Sequence, residues 1–180
     1  MSRIIPVRVA GIMAGRLACR RVADIHEVLI NAELPADLAD AETAELRWHL
    51  GLGPRPERPT VVVDGWPLTT VEEEGEPLPE DRWEIDTYPL LAQRGPADPR
   101  IGGVVFSELA RREGAADAGW ALSSRQVLHS DDLTLLEQLL RWLQARAVGY
   151  RGGPACFSCH TRFYEDGPEL ELLSPGPQVG

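Results

Sequence analysis

Ser130–Gly149 reads SDDLTLLEQLLRWLQARAVG and is the clearest element in the chain. Leu136, Leu139, Leu140, Leu143 and Ala147 recur at the three- and four-residue spacing of one helical face. Leu135 and Trp142 widen that face, and Thr134, Glu137, Gln138, Arg141 and Gln144 fall mostly opposite. Ser130 is placed to cap the first turn by accepting a backbone N–H bond. Asp131 and Asp132 sit where the helix dipole favours negative charge, and Arg141 and Arg146 lie nearer the other end. Glu137 and Arg141 form an i,i+4 pair in the better order, and Gly149 is a natural stop. The pattern predicts a long amphipathic helix over about 131–148, with its leucines in a core.

Working outward, the segments before this helix mix strand and helix signals. Gly119–His129 (GWALSSRQVLH) reads as a strand leading directly into it. Val104–Glu113 reads as a short helix on Val105, Leu109 and Arg112, after a Pro- and Gly-bearing loop from Gln93 to Gly103. Trp83–Leu91 (WEIDTYPLL) alternates and reads as a half-buried strand. Val61–Val63 and Trp66–Thr69 flank Asp64-Gly65, a dipeptide suited to a tight hairpin turn.

Nearer the N-terminus, residues 3–10 (RIIPVRVA) read as a strand. Asp24 is a cap for a helix on Ile25, Val28, Leu29 and Ala32, ended by Pro35. A second helix is expected from Asp40 to Leu50, with Leu46 and Leu50 inward and Glu42 and Glu45 outward. After the long helix, residues 155–164 and 169–173 read as a final hairpin around Asp166-Gly167-Pro168, and 174–180 as a frayed tail. Strands and helices without regular βαβ alternation predict an α+β fold. The expected architecture is one domain over 1–173, a mixed or antiparallel sheet with the long C-terminal helix packed on it.

Composition narrows function. The chain has 180 residues and a formal net charge of -10, which argues against a general nucleic-acid binder or an anionic-membrane binder, since both need a basic face. All 18 basic residues are Arg, so Schiff-base and P-loop lysine mechanisms are excluded. No apolar run approaches the roughly 18 residues of a membrane span. Pro6 and Arg8 interrupt the only early apolar stretch, so the expected location is cytoplasmic.

Cys156-Phe157-Ser158-Cys159-His160 is the one metal-type motif. As a haem-attachment sequence it needs export and a haem-enclosing fold, neither of which the chain suggests. As a zinc site, Cys156, Cys159 and His160 are partial ligands, but adjacent Cys159 and His160 on a strand point to opposite sides. As a redox pair it lacks a helix opening after Cys159. Reduced, structural thiols are the simplest account.

The acidic run 72–81 lacks the spaced ligands of a calcium loop and reads as a solvated loop. Such a run suits a basic protein partner through steering, with Glu72, Glu73 and Glu74 as contacts and Trp66, beside the turn, as the anchor. The expected function is a non-enzymatic protein-interaction module: an adaptor, an inhibitor or immunity-type partner, or an assembly subunit. A zinc-binding domain on the C-terminal motif and a thiol-dependent enzyme are the alternatives.

Overall fold

Val28, Ile30, Ala32 and Leu34 are buried in alternation, and that period of two makes Ile25–Pro35 a strand. The helix expected there is therefore corrected. The computed structural model describes residues 24–63, 66–68, 84–114, 118–165 and 171–172. The elements in chain order are β1 (Ile25–Pro35), α1 (Asp40–His49), β2 (Trp66–Leu68), β3 (Glu84–Asp86), β4 (Gly95–Pro96), β5 (Val104–Arg112), β6 (Gly119–His129), α2 (Ser130–Arg146), β7 (Phe157–Phe163) and β8 (Glu171–Leu172). The chain divides into two compact units, Met1–Arg21 with Val63–Tyr88, and Val22–Val62 with Pro89–Gly180.

In the first unit, β2 and β3 pair antiparallel, Trp66 opposite Asp86 and Leu68 opposite Glu84. The expected pairing of Val61–Val63 with Trp66–Thr69 is thus replaced by a pairing with a more distant segment. Among the described residues of the expected strand 83–91, Glu84–Asp86 are strand. The expected strand at 3–10, the Asp64-Gly65 turn, the acidic run, the Asp166–Pro168 turn and the tail lie outside the described residues.

In the second unit, six strands pair antiparallel in the order β4-β5-β6-β1-β7-β8. The fold is α+β, as the sequence predicts. β1 lies at the centre, in register with β6 along its whole length from Ile25↔His129 to Pro35↔Gly119. The expected helix at Val104–Glu113 is also corrected, since β5 pairs with β6 from Phe106↔Arg125 to Arg112↔Gly119. The expected hairpin of 155–164 with 169–173 is present as the β7–β8 pair, His160↔Leu172 and Thr161↔Glu171.

α2 packs on one face of this sheet, against β1, β6 and β7. Leu136, Leu139, Leu140 and Leu143 are fully buried there with Val28, Ile30, Leu34, Leu122 and Cys159. Each buried Leu contributes roughly 1.5–3 kcal/mol, so this face is the core. The cap differs from expectation. His129 Nδ1 accepts from the Asp131 N–H at 3.3 Å, while the Ser130 N–H bonds the Asp24 carbonyl at 3.0 Å. The Glu137–Arg141 pair forms as expected, at 3.0 Å.

The sheet's other face carries charge. Glu27 on β1 is buried and lies between two guanidinium groups, accepting from Arg125 Nε on β6 at 2.6 Å and from Arg162 Nε on β7 at 2.9 Å. One carboxylate thus ties three adjacent strands together. On the core face, opposite Val28, Gln126 is fully buried, and its amide donates to the Phe106 carbonyl at 2.9 Å and to Ser107 Oγ at 3.1 Å. Ser107 Oγ in turn donates to the Leu91 carbonyl at 2.7 Å.

Candidate functional site

The chain leaves α2 at Ala147 and returns to the sheet at Phe157, and the segment between is locked at its neck. The Val148 N–H donates to the Glu33 carbonyl at 2.8 Å. The Glu33 N–H donates to the Cys156 carbonyl at 2.9 Å, and the Cys156 N–H to the Val148 carbonyl at 2.9 Å. Both stems are therefore held by one residue of the central strand. Residues 150–156 are all exposed beyond that neck.

Sequence dictates the shape of this loop. A Cβ at Gly149 would stand 1.9 Å from the Gly153 carbonyl oxygen, so only glycine lets the two stems close. Tyr150–Gly152 make one tight 3₁₀ turn, closed by the Gly153 N–H on the Tyr150 carbonyl at 2.9 Å. Arg151 sits in the left-handed region at φ 50°, ψ 39°, a conformation that costs a non-glycine residue about 1 kcal/mol or more. Its guanidinium carbon lies 5.1 Å from the Tyr150 ring centroid. The Tyr150 side chain is held outward on this frame and is 57% exposed. An exposed tyrosine beside an arginine, presented on a closed loop, is the chemistry of a protein-binding anchor.

The expected metal motif lies at the end of this loop. Cys156 is exposed, Cys159 is fully buried on the core face opposite Ile30, and His160 follows on the other face of β7. Burial pushes the Cys159 thiol up to about 12, which keeps it protonated and poorly nucleophilic. Among the described residues no three His, Cys, Asp or Glu side chains gather as a metal would require. Of the expected partner contacts, Trp66 is placed on β2, and Glu72, Glu73 and Glu74 lie outside the described residues.

Two other groupings have site-like chemistry. Glu45, expected to face outward on α1, is buried at 1% exposure. Its carboxylate accepts the successive N–H groups of Thr60, Val61 and Val62, the last two at 2.9 Å. His49, one turn later and equally buried, accepts the Leu90 N–H at Nδ1 (3.4 Å) and turns Nε2 toward Glu45 at 3.8 Å. Burial lowers the His49 pKa to about 4 against the pull of Glu45, so the ring is neutral at neutral pH. With both side chains sealed from solvent, the pair serves as a lock on the 60–62 segment.

A cleft of about 430 Å³ beside α2 is lined by Val61, Gln138, Arg141, Trp142, Ala145 and Arg146. Its cations are already held, Arg141 by Glu137 and Arg146 by Glu42. Glu42 also accepts from Trp142 Nε1 at 3.2 Å and reaches back to the Ala39 N–H. Burial raises the Glu42 pKa, but these hydrogen bonds outweigh it and lower the pKa below the ordinary carboxylate value. The cleft therefore joins α1 to α2.

Sequence reasoning missed the Tyr150 loop. Its signal was present as Gly149, Gly152, Gly153 and Pro154 around Tyr150-Arg151, a cluster of turn residues flanking an aromatic. No described helix is long and apolar enough to cross a membrane. Comparison with family models, with curated proteins and with solved structures found no match.

Proposed function

We propose that this chain is a cytoplasmic, non-enzymatic protein-interaction module, an adaptor, an inhibitor or immunity-type partner, or an assembly subunit, and that the Tyr150 loop is its principal contact. The observation that carries this reading is Tyr150 itself, 57% exposed on a loop whose two stems are both hydrogen-bonded to Glu33. A preformed loop loses little conformational freedom on binding, which favours affinity. The net charge of -10 adds long-range attraction for a basic partner, with the run Glu72, Glu73 and Glu74 as a local source of it.

Affinity capture tests the reading. The immobilised full chain is expected to retain a protein from an extract of the source cells, and the Tyr150→Ser chain to lose it. Truncating an anchor of this kind typically costs about 2 kcal/mol or more, roughly thirtyfold in affinity. Tyr150 is exposed, so the variant folds, as circular dichroism would verify. Equal retention by the two chains would refute the assignment of the loop.

A further inference from the structure

The outer edge of β5 offers a second surface, independent of the Tyr150 loop. β4 covers β5 only at Val104 and Val105. Beyond them, among the described residues, Ser107–Arg112 pair with β6 on one side and with no strand on the other. Arg94 Nη2 donates to the Ser107 carbonyl at 2.9 Å, which marks Ser107 as pointing outward. Residues alternate along a strand, so the backbone groups of Leu109 and Arg111 also point outward. This is a template for another strand.

We infer that this edge pairs with the same edge of a second copy of the chain, antiparallel, about a two-fold axis at Ala110. In that register Leu109 lies opposite Arg111 of the second copy, and both project N–H and C=O into the gap, so each such pair exchanges two hydrogen bonds. Ala110 lies opposite its own copy as a close, non-hydrogen-bonded pair. On the same face Glu108 lies opposite Arg112 of the second copy, twice by symmetry.

Charge selects this axis over its neighbours. An axis at residue 108 sets Glu108 against Glu108, and axes at 111 and 112 set arginine against arginine. An axis at 109 sets Glu108 against Ala110 and leaves Arg112 opposite Phe106. The axis at 112 also sets Arg111 against Glu113, but only the Ala110 axis pairs opposite charges without setting like charges against each other. Glu108 is 70% exposed, and its contact with Arg94 is a loose 3.7 Å, so its carboxylate is available to a second arginine. Arg112 also holds Glu33 within its own chain, so each Glu108 joins a pair already formed.

Disulfide trapping tests the register. A non-hydrogen-bonded antiparallel pair has its Cα atoms about 4.5 Å apart, within the range a disulfide spans. In a Cys19→Ser, Cys156→Ser background, which leaves the buried Cys159 as the one native thiol, Ala110→Cys is expected to cross-link into a covalent dimer under mild oxidation at roughly 100 µM chain. Asp131→Cys, exposed on α2, sets the level of random collision. Sedimentation of the unmodified chain should show dimer growing with concentration, and Glu108→Arg should weaken it by about tenfold or more. Cross-linking of Ala110→Cys at the collision level would overturn the proposal. So would a dimer indifferent to Glu108→Arg, which would place self-association on another surface.

Discussion

His49 shows what burial does to a single titrating group. Its folded pKa of about 4 lies below the ordinary histidine value, so the unfolded chain binds the proton first as pH falls. Above about pH 6.5 both states are neutral and the group has no effect on stability. Between about pH 6.5 and 4 the unfolded state gains a proton that the folded state refuses, so stability falls with pH by about 3 kcal/mol at most. His49→Gln keeps an acceptor for the Leu90 N–H and removes the titration. Urea unfolding at about pH 7.5 and 4.5 should show a smaller acid-side loss in the variant than in the native chain. Equal losses would mean that the carboxylates alone set the acid limit. Glu45, one turn away, shows why this node escaped the sequence. A glutamate between Ala44 and Leu46 reads as a solvent-facing helix residue, and only the three N–H groups of residues 60–62 make its burial affordable.

Among the elements, the strand β1 organises the second unit, and Glu27 is its polar pin. Removing this carboxylate leaves Arg125 and Arg162 facing each other, each only 20% exposed. Glu27→Ala should therefore cost about 3 kcal/mol, measured by urea unfolding, far more than a surface ion pair would. A loss below about 1 kcal/mol would mean that the two arginines relax into solvent unaided. The same strand shows where the sequence could be read and where it could not. α2 was legible because five leucines keep one helical face and the opposite face stays polar. β1 was not, because Leu29 on the charged face joins Val28 and Ala32 to mimic helical spacing, and Glu27 breaks the expected polar pattern by being buried. In β5 the residue between the inward Val105 and Leu109 is Ser107, buried through its bonds to Leu91, Ser124 and Gln126, so the strand period was hidden. Polar residues satisfied in a core carry no hydrophobic signal. The Tyr150 loop was illegible for a related reason. Its closure depends on Glu33, more than a hundred positions earlier in the chain, and on the lack of room at Gly149.

For the whole molecule, net charge separates the two proposed interfaces by the sign of the salt dependence expected of each. A chain of net charge -10 attracts a basic partner and repels its own copy. Screening shortens from about 30 Å at 0.01 M salt to about 10 Å at 0.1 M. Over that range, association with a basic partner through the Tyr150 loop should slow, while its dissociation rate changes little. Self-association along β5 should instead rise as the long-range repulsion is screened, until at higher salt the exposed Glu108–Arg112 pairs weaken in turn. Surface-plasmon kinetics on a captured partner and sedimentation of the chain alone, both across this salt range, measure the two trends separately. If partner association quickens with salt, the partner is not basic, and the acidic surface of this chain has no part in steering it. If the dimer weakens from the lowest salt upward, the local ion pairs outweigh the net charge, and reversing Glu108 should then have a larger effect than the tenfold expected at moderate salt.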